Sequence, residues 1–241
     1  LHDFRVEQEI LQGKRIGRSA EKVWRWDSPT GRIRSSRRAN YFIAKGVITH
    51  ESNVLELGCG TGLFTRIIYE RTKATINAID ISEELIYIAK EKYDFAKFSI
   101  MNAEYLNFDS NQFDVVFGSS VLHHLNYRIA LKEVYRVLKP GGRMIFAEPN
   151  MLNPHIFLQK KFPFLKRHFG DCPHETAFTR WQLAKTLNSL GFSSIEVVPY
   201  DFLYPLIPDF SISFVNRVGK YLEWIPIIKE IAGSLIIFSK K

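Results

Sequence analysis

Three glycines, Gly58, Gly60 and Gly62, stand between a strand signal and a helix signal, and this junction constrains the fold more than any other feature of the chain. Val54-Leu-Glu-Leu57 reads as a short buried strand, and residues 63–69 read as a helix. Glycines between them allow a tight turn and let backbone N–H groups come close to a ligand at the helix start. The same strand–helix alternation continues downstream. Strand signals recur at 75–79, closed by Asp80, and at 98–101, 113–117, 143–147, 194–198 and 235–238. Between them Ser82 opens a helix to about Lys92, with Glu83 and Glu84 at its positive end. Residues 127–138 form an amphipathic helix stopped by Lys139-Pro-Gly-Gly142, and Thr179 with Gln182 opens another that ends at Gly191. The pattern predicts an α/β fold, a seven-stranded, mostly parallel sheet with helices on both faces.

Three segments fall outside the alternation: residues 1–45, 149–178 and 199–233. The first is read as a basic helical arm or cap and residues 46–241 as the main domain, with the two later excursions forming the acceptor side. Residues 211–225 place Ile212, Val215, Val218, Leu222 and Ile225 at helical spacing, a stripe that suits covering the protein's own core. The net charge of +8 is concentrated in the arm, where eleven Lys or Arg face five Asp or Glu. Such an arm suits an anionic ligand, an acidic lipid surface, nucleic acid or simply a solvated face. Only two cysteines occur, Cys59 and Cys172, in no disulfide or metal spacing. No transmembrane segment is expected, peripheral membrane contact stays open, and a cytoplasmic location is the default.

The loop Glu56-Leu-Gly-Cys-Gly-Thr-Gly62 differs from the dinucleotide fingerprint, which would need a glycine at the position of Leu63. It resembles the first motif of the class I S-adenosylmethionine-dependent methyltransferases. Asp80 at the end of the second strand, Asn102-Ala-Glu104 after the third, Phe113-Asp-Val-Val-Phe117, Val121-Leu-His-His-Leu125 and Leu138-Lys-Pro-Gly-Gly142 match later motifs of that family in order. The resemblance covers residues 53–150 and implies its Rossmann-like fold, with S-adenosylmethionine as cofactor and S-adenosylhomocysteine as product. It implies that Gly58, Cys59, Gly60 and Gly62 form the floor under the donor, that Glu56 faces its ammonium and that Asp80 binds the ribose. It further implies Ile81, Asn102, Ala103 and Glu104 around the adenine, and Ser119 where the methionine and acceptor pockets meet. The segment Trp24-Arg-Trp-Asp-Ser-Pro-Thr-Gly31, with Arg38 three residues before Tyr41, is similar to the start of ubiquinone-biosynthesis O-methyltransferases, although their flanking Asn-Pro is missing. That likeness implies Arg38 as the holder of the donor's carboxylate, a task suited to a guanidinium fork. Trp24 and Trp26 would either close over the site or staple the arm.

Methyl transfer from a sulfonium needs alignment above all, and a base only where the acceptor carries a proton. His123, His124 and Glu148 are the candidates, one of the two histidines being structural. His174 and Arg180 are candidates for the pocket lining or for surface hydrogen bonding. No histidine falls at a ligand spacing with acids or cysteines, so no metal is expected. Phe202, Tyr204, Phe210 and Phe214 make the last excursion aromatic, which favours a hydrophobic small-molecule acceptor, with an anionic group if the arm takes part. Two alternatives are kept: an RNA-directed methyltransferase, disfavoured by Gly118-Ser-Ser-Val121 after the fourth strand, and a cofactor-binding protein without turnover. The oligomeric state is left open.

Overall fold

The computed structural model describes residues 4–169, 172, 175–205 and 207–241. Its elements run α1 (Phe4–Ile16), α2 (Ala20–Val23), α3 (Pro29–Gly46), β1 (Asn53–Leu57), α4 (Leu63–Thr72), β2 (Thr75–Asp80), α5 (Glu83–Lys92) and β3 (Lys97–Ile100). They continue through β4 (Phe113–Ser119), α6 (Tyr127–Val137), β5 (Leu138–Pro149), α7 (Pro154–Lys161), α8 (Pro163–Phe169), α9 (Arg180–Ser189), β6 (Ser193–Tyr200), α10 (Ile212–Leu222) and β7 (Ser234–Lys240). The seven strands form one sheet in the order β3-β2-β1-β4-β5-β7-β6, with β7 antiparallel to both neighbours and the other pairs parallel. The chain winds outward one way through β2 and β3 and then returns to place β4 beside β1. This reversal opens a crevice at the carboxyl ends of β1 and β4, where ligands bind in sheets of this kind.

Strand periodicity sorts the core into two layers. Val54, Val115, Ile145, Ile236 and Phe238 face one side, and Leu55, Leu57, Val116, Met144, Phe146 and Ile237 face the other. The sequence Lys139-Pro-Gly-Gly142 does not end the fifth strand's pairing. Leu138 pairs with Phe113 ahead of it and Arg143 with Val115 after it, so the turn is carried as a bulge inside a strand longer than expected. The caps fall where short polar side chains can reach backbone donors: Ser28 accepts from Gly31 N, Ser82 from Leu85 N and Thr179 from Gln182 N. Helix α10 lies where its periodicity places it, with Ile212 buried and Val215, Val218 and Leu222 half-buried.

The basic arm folds onto the body. Ala39 and Phe42 of α3 share a core cluster with Val54, Phe64 and Phe117, and Phe42 meets Phe117 with ring centroids 5.3 Å apart. Several of its cations are paired with acids of the body. Arg34 pairs with Asp201 at 2.9 Å, Arg37 with Glu223 at 2.7 Å, and Lys45 with Glu196. Among the described residues no helix is long and apolar enough to cross a membrane.

Candidate active site

The crevice between β1 and β4 is the mouth of a cavity of about 640 Å³, within the ~300–1,000 Å³ span of small-molecule sites. Its floor is the turn after β1. Gly58 has φ +66°, and an added Cβ would lie 2.5 Å from Val121 Cγ2, so only glycine lets this turn lie against the start of the loop after β4. Gly60, at φ +53°, lies under the indole of Trp24, 3.1 Å from where a Cβ would stand. Trp24 therefore covers the turn, while Trp26 packs edge-on against Phe64 at 5.5 Å; one tryptophan closes over the site and the other staples the arm. Asp80 ends β2 beside this floor. Its Oδ2 accepts from Gly60 N at 2.8 Å and its Oδ1 from Ser82 N at 2.9 Å. Burial lifts the pKa of this carboxyl although both N–H bonds oppose the rise.

Cys59, Ile81, Asn102, Ala103, Glu104 and Ser119 also line the cavity. Asn102 turns its Oδ1 onto Glu104 N at 2.8 Å, shaping the loop after β3, and the Ala103 N–H has no partner among the described residues. Glu104 holds Asn126 N at 2.6 Å and Arg5 of the arm at 3.4 Å. Arg38 is 2% exposed and enters the cavity from α3. Its guanidinium donates to Ser119 Oγ at 2.8 Å, Ser120 Oγ at 2.9 Å and Ser234 Oγ at 3.0 Å, while Nε has no partner. Among the described residues no carboxylate is paired with it. The guanidinium also lies 5.1 Å from the centre of the Trp26 ring, but hydroxyls and an aromatic face supply no counter-ion, and a ligand carboxylate would match the charge.

Three expected positions lie off the cavity wall. Glu56 occupies the strand face shared with Val54, because side chains alternate along β1, and its carboxylate accepts from Thr65 Oγ1 of α4 at 2.5 Å. Burial raises its pKa to about 8. Gly62 is the first turn of α4, packed against Tyr93 and Phe98. Glu148, fully buried, accepts from Val121 N and Leu122 N, both at 2.9 Å, and faces His123 Nδ1 at 2.7 Å. It orients its neighbours and does not touch the cavity.

The two histidines part in role. Burial and the adjacent His124 hold the pKa of His123 well below its ordinary value, so His123 is neutral, with Nδ1 toward Glu148, Nε2 3.9 Å from Glu175 Oε2, and the ring among the residues that line the cavity. Burial would lower His124 too, yet Glu9 at 2.9 Å and Glu175 at 3.7 Å raise it to about 9. Glu175, buried but pressed by His124 and Lys160, is lowered to about 2. Contrary to the spacing argument, ring nitrogens of His123 and His124 and an oxygen of Glu175 lie within 4.8 Å of one another, as do Glu9, Cys172 and Glu175. The two acids there are already matched by His124 and Lys160. Arg180 pairs with Glu230 at 3.1 Å, away from the cavity, and His174 lies outside the described residues. Reading by motif missed Ser120, Ser234, Glu9, Lys160 and Glu175, which belong to segments far apart in the chain.

The cavity thus offers a carboxylate beside a glycine floor, an unpartnered N–H after β3, and a buried guanidinium without a counter-ion. These groups fit the ribose, adenine and carboxylate of S-adenosylmethionine. A profile described as a methyltransferase domain matches residues 55–146. Demethylmenaquinone methyltransferase of Lactococcus lactis is 33% identical over 168 residues, 60% of this chain and 67% of that protein. The 2-methyl-6-phytyl-1,4-hydroquinone methyltransferase of Synechocystis is 28% identical over 165 residues, 65% of this chain and 51% of that protein, so the match spans half to two thirds of such relatives. A methyltransferase structure from Thermotoga maritima superposes with a TM-score of 0.62 at 21% identity, covering 94% of this chain and 98% of its own. With the motif order, the sheet order and the Lactococcus relative in agreement, the chain belongs to the class I S-adenosylmethionine-dependent methyltransferases.

Proposed function

We propose that the chain methylates a small acceptor with a ring hydroxyl and an apolar body, on that oxygen or on the ring carbon beside it. The observation that carries this reading is the His123–Glu148 pair at 2.7 Å, which occupies Nδ1 of a neutral imidazole that lines the cavity and leaves Nε2, 3.9 Å from Glu175, as its acceptor nitrogen. When bound, the donor supplies a methyl group on a positively charged sulfur and leaves as S-adenosylhomocysteine. Arg38 would hold its carboxylate through the guanidinium fork, Asp80 its ribose hydroxyls, and the Ala103 N–H with Asn102 and Ile81 its adenine. Gly58, Cys59 and Gly60 would lie beneath it, and Ser119 would act through Arg38.

His123 Nε2 takes the hydroxyl proton as the acceptor's electron pair turns toward the methyl carbon, whose bond to sulfur would break as the new bond forms. Where the ring carbon takes the methyl, its hydrogen then leaves as a proton and the oxygen regains one. Glu148 is a positioning residue, keeping the proton of His123 on Nδ1. His124 holds its own proton against Glu9 near neutral pH and so serves as a fixed charge. The names of the Lactococcus and Synechocystis relatives favour ring acceptors with apolar substituents. Arg34 and Arg37 of the arm are engaged by Asp201 and Glu223, which lessens the support for an RNA acceptor.

The test is label transfer from methyl-labelled S-adenosylmethionine to a panel of alkylated phenols and hydroquinones, with RNA alongside. Transfer to a ring hydroxyl compound is expected, and His123→Asn should slow it by about 10²–10⁴-fold. Transfer to RNA alone, or an unimpaired His123→Asn, would sink the proposal.

A further inference from the structure

Helix α10 has two apolar faces, and only one of them is covered. Ile212 and Gly219 are buried and Gly219 packs on Phe202. On the opposite face Phe214 is 70% exposed and Tyr221 69%, and the stripe extends to Phe210 at 91% and Trp224 at 85%. Positions 210, 214, 217, 221 and 224 recur at helical spacing, so these aromatics form one outward row with Arg217 in its middle and Lys220 beside it. Ile227, 85% exposed, continues the apolar surface. A contiguous apolar patch of this kind marks a surface that meets something other than water.

The charges identify what it meets. Glu223 is turned inward onto Arg37, and Glu230 pairs with Arg180. Among the described residues from 207 to 231, Asp209 is then the acid without an ion-pair partner, against Arg217, Lys220 and Lys229. Two copies apposed through this row would bring like charges together. An acidic bilayer would complement them, and tryptophan, tyrosine and phenylalanine mixed with Arg and Lys suit the headgroup boundary. The segment that carries the row begins and ends beside the cavity: Tyr204, of the cavity wall, meets His155 at 2.9 Å, the covered face of α10 packs Gly219 on Phe202 of the same wall, and Asn153 Nδ2 donates to Ile231 O at 2.8 Å. Phe157 and Leu158 of α7 are exposed beside it.

We propose that the outward row Phe210–Phe214–Arg217–Tyr221–Trp224, with Lys220 and Ile227, seats the protein on an acidic lipid surface. Seated this way, the rim of the cavity opens at the bilayer boundary. The docking surface itself stands whether or not the acceptor is a ring hydroxyl compound.

The test is sedimentation of the 241-residue chain with vesicles. With about one third phosphatidylglycerol in phosphatidylcholine the chain should pellet, and pure phosphatidylcholine should bind at least about fivefold less. Salt near ~0.5 M should weaken binding similarly. Phe214→Glu with Trp224→Glu should lower partitioning about tenfold or more, while Tyr87→Glu, another exposed aromatic on α5, should leave it unchanged. S-adenosylhomocysteine affinity should be the same in all three proteins, showing that the fold is intact. The proposal is overturned if the chain stays in solution with acidic vesicles, if the double variant binds them equally, or if a dimer forms that the double variant dissolves.

Discussion

Arg38 is the residue on which the site turns. A guanidinium that is 2% exposed, held by three serine hydroxyls and carrying an unpartnered Nε, is costly unless a ligand supplies the counter-charge. Replacing Arg38 with Met should cost S-adenosylhomocysteine about 2–3 kcal/mol of binding while leaving 5′-methylthioadenosine, which lacks the amino acid, nearly unaffected. Asp80→Ala should weaken both ligands by about 1.5–3 kcal/mol, since the nucleoside is common to them. Calorimetric titration of the two variants with the two ligands distinguishes the roles. The sequence marks both positions, Asp80 because it closes a strand one βα unit after the glycine turn, and the structure puts both on the cavity wall. Ser120 and Ser234 were not legible there, because nothing local marks a hydroxyl whose partner lies 82 or 196 residues away. The pair of His123 and Glu148 carries its own prediction. Burial raises Glu148 to about 7, so below that pH it is protonated, donates to Nδ1 and leaves the proton of His123 on Nε2. The ratio kcat/KM should therefore rise with pH through about 7 and level off, and Glu148→Gln should abolish that step; a flat profile in the parent protein would contradict the assignment.

At the scale of elements, β1 shows both how far periodicity reads and what a motif adds to it. Val54 and Glu56 share one strand face and Leu55 and Leu57 the other, so the alternation already placed Glu56 against α4. The resemblance to a motif implies a second role for Glu56, toward the donor's ammonium, from a position off the cavity wall. The burial has a measurable consequence. A carboxyl whose folded pKa is about 8, against an unfolded value near 4.5, costs nothing while protonated and destabilises increasingly as pH climbs from 4.5 toward 8. Glu56→Gln should raise stability at pH 8–9 by a few kcal/mol and change little near pH 4, as read by urea unfolding at the two values. The arm shows the opposite limit. Its surplus of positive charge was visible, but not that α3 would use it on residues more than 150 positions away. Asp201, 3% exposed, accepts from Arg34 at 2.9 Å, Arg37 at 3.5 Å and Leu203 N at 3.1 Å. Asp201→Ala leaves two mostly buried guanidiniums short of a partner and should cost about 3–5 kcal/mol of stability; a loss below 1 kcal/mol would mean that α3 is held chiefly by Phe42 and its neighbours.

Across the whole molecule, the sheet reversal between β1 and β4 gathers a floor from the turn after β1, a carboxylate from β2, a loop from β3, a histidine pair from the loop after β4 and a guanidinium from the arm. Strand and helix order was readable because each element carries its own period and several helices carry a polar cap. The acceptor side was not, since Glu9, Lys160 and Glu175 meet around the histidines from three distant segments and are joined by charge alone. All functional steps follow from the cavity's affinity for a sulfonium nucleoside. Isothermal titration of the purified chain with S-adenosylhomocysteine tests that affinity most directly. One molecule per chain, bound with a dissociation constant of about 1–100 μM, is the predicted result. An absence of heat and of any melting shift up to about millimolar ligand would contradict the account.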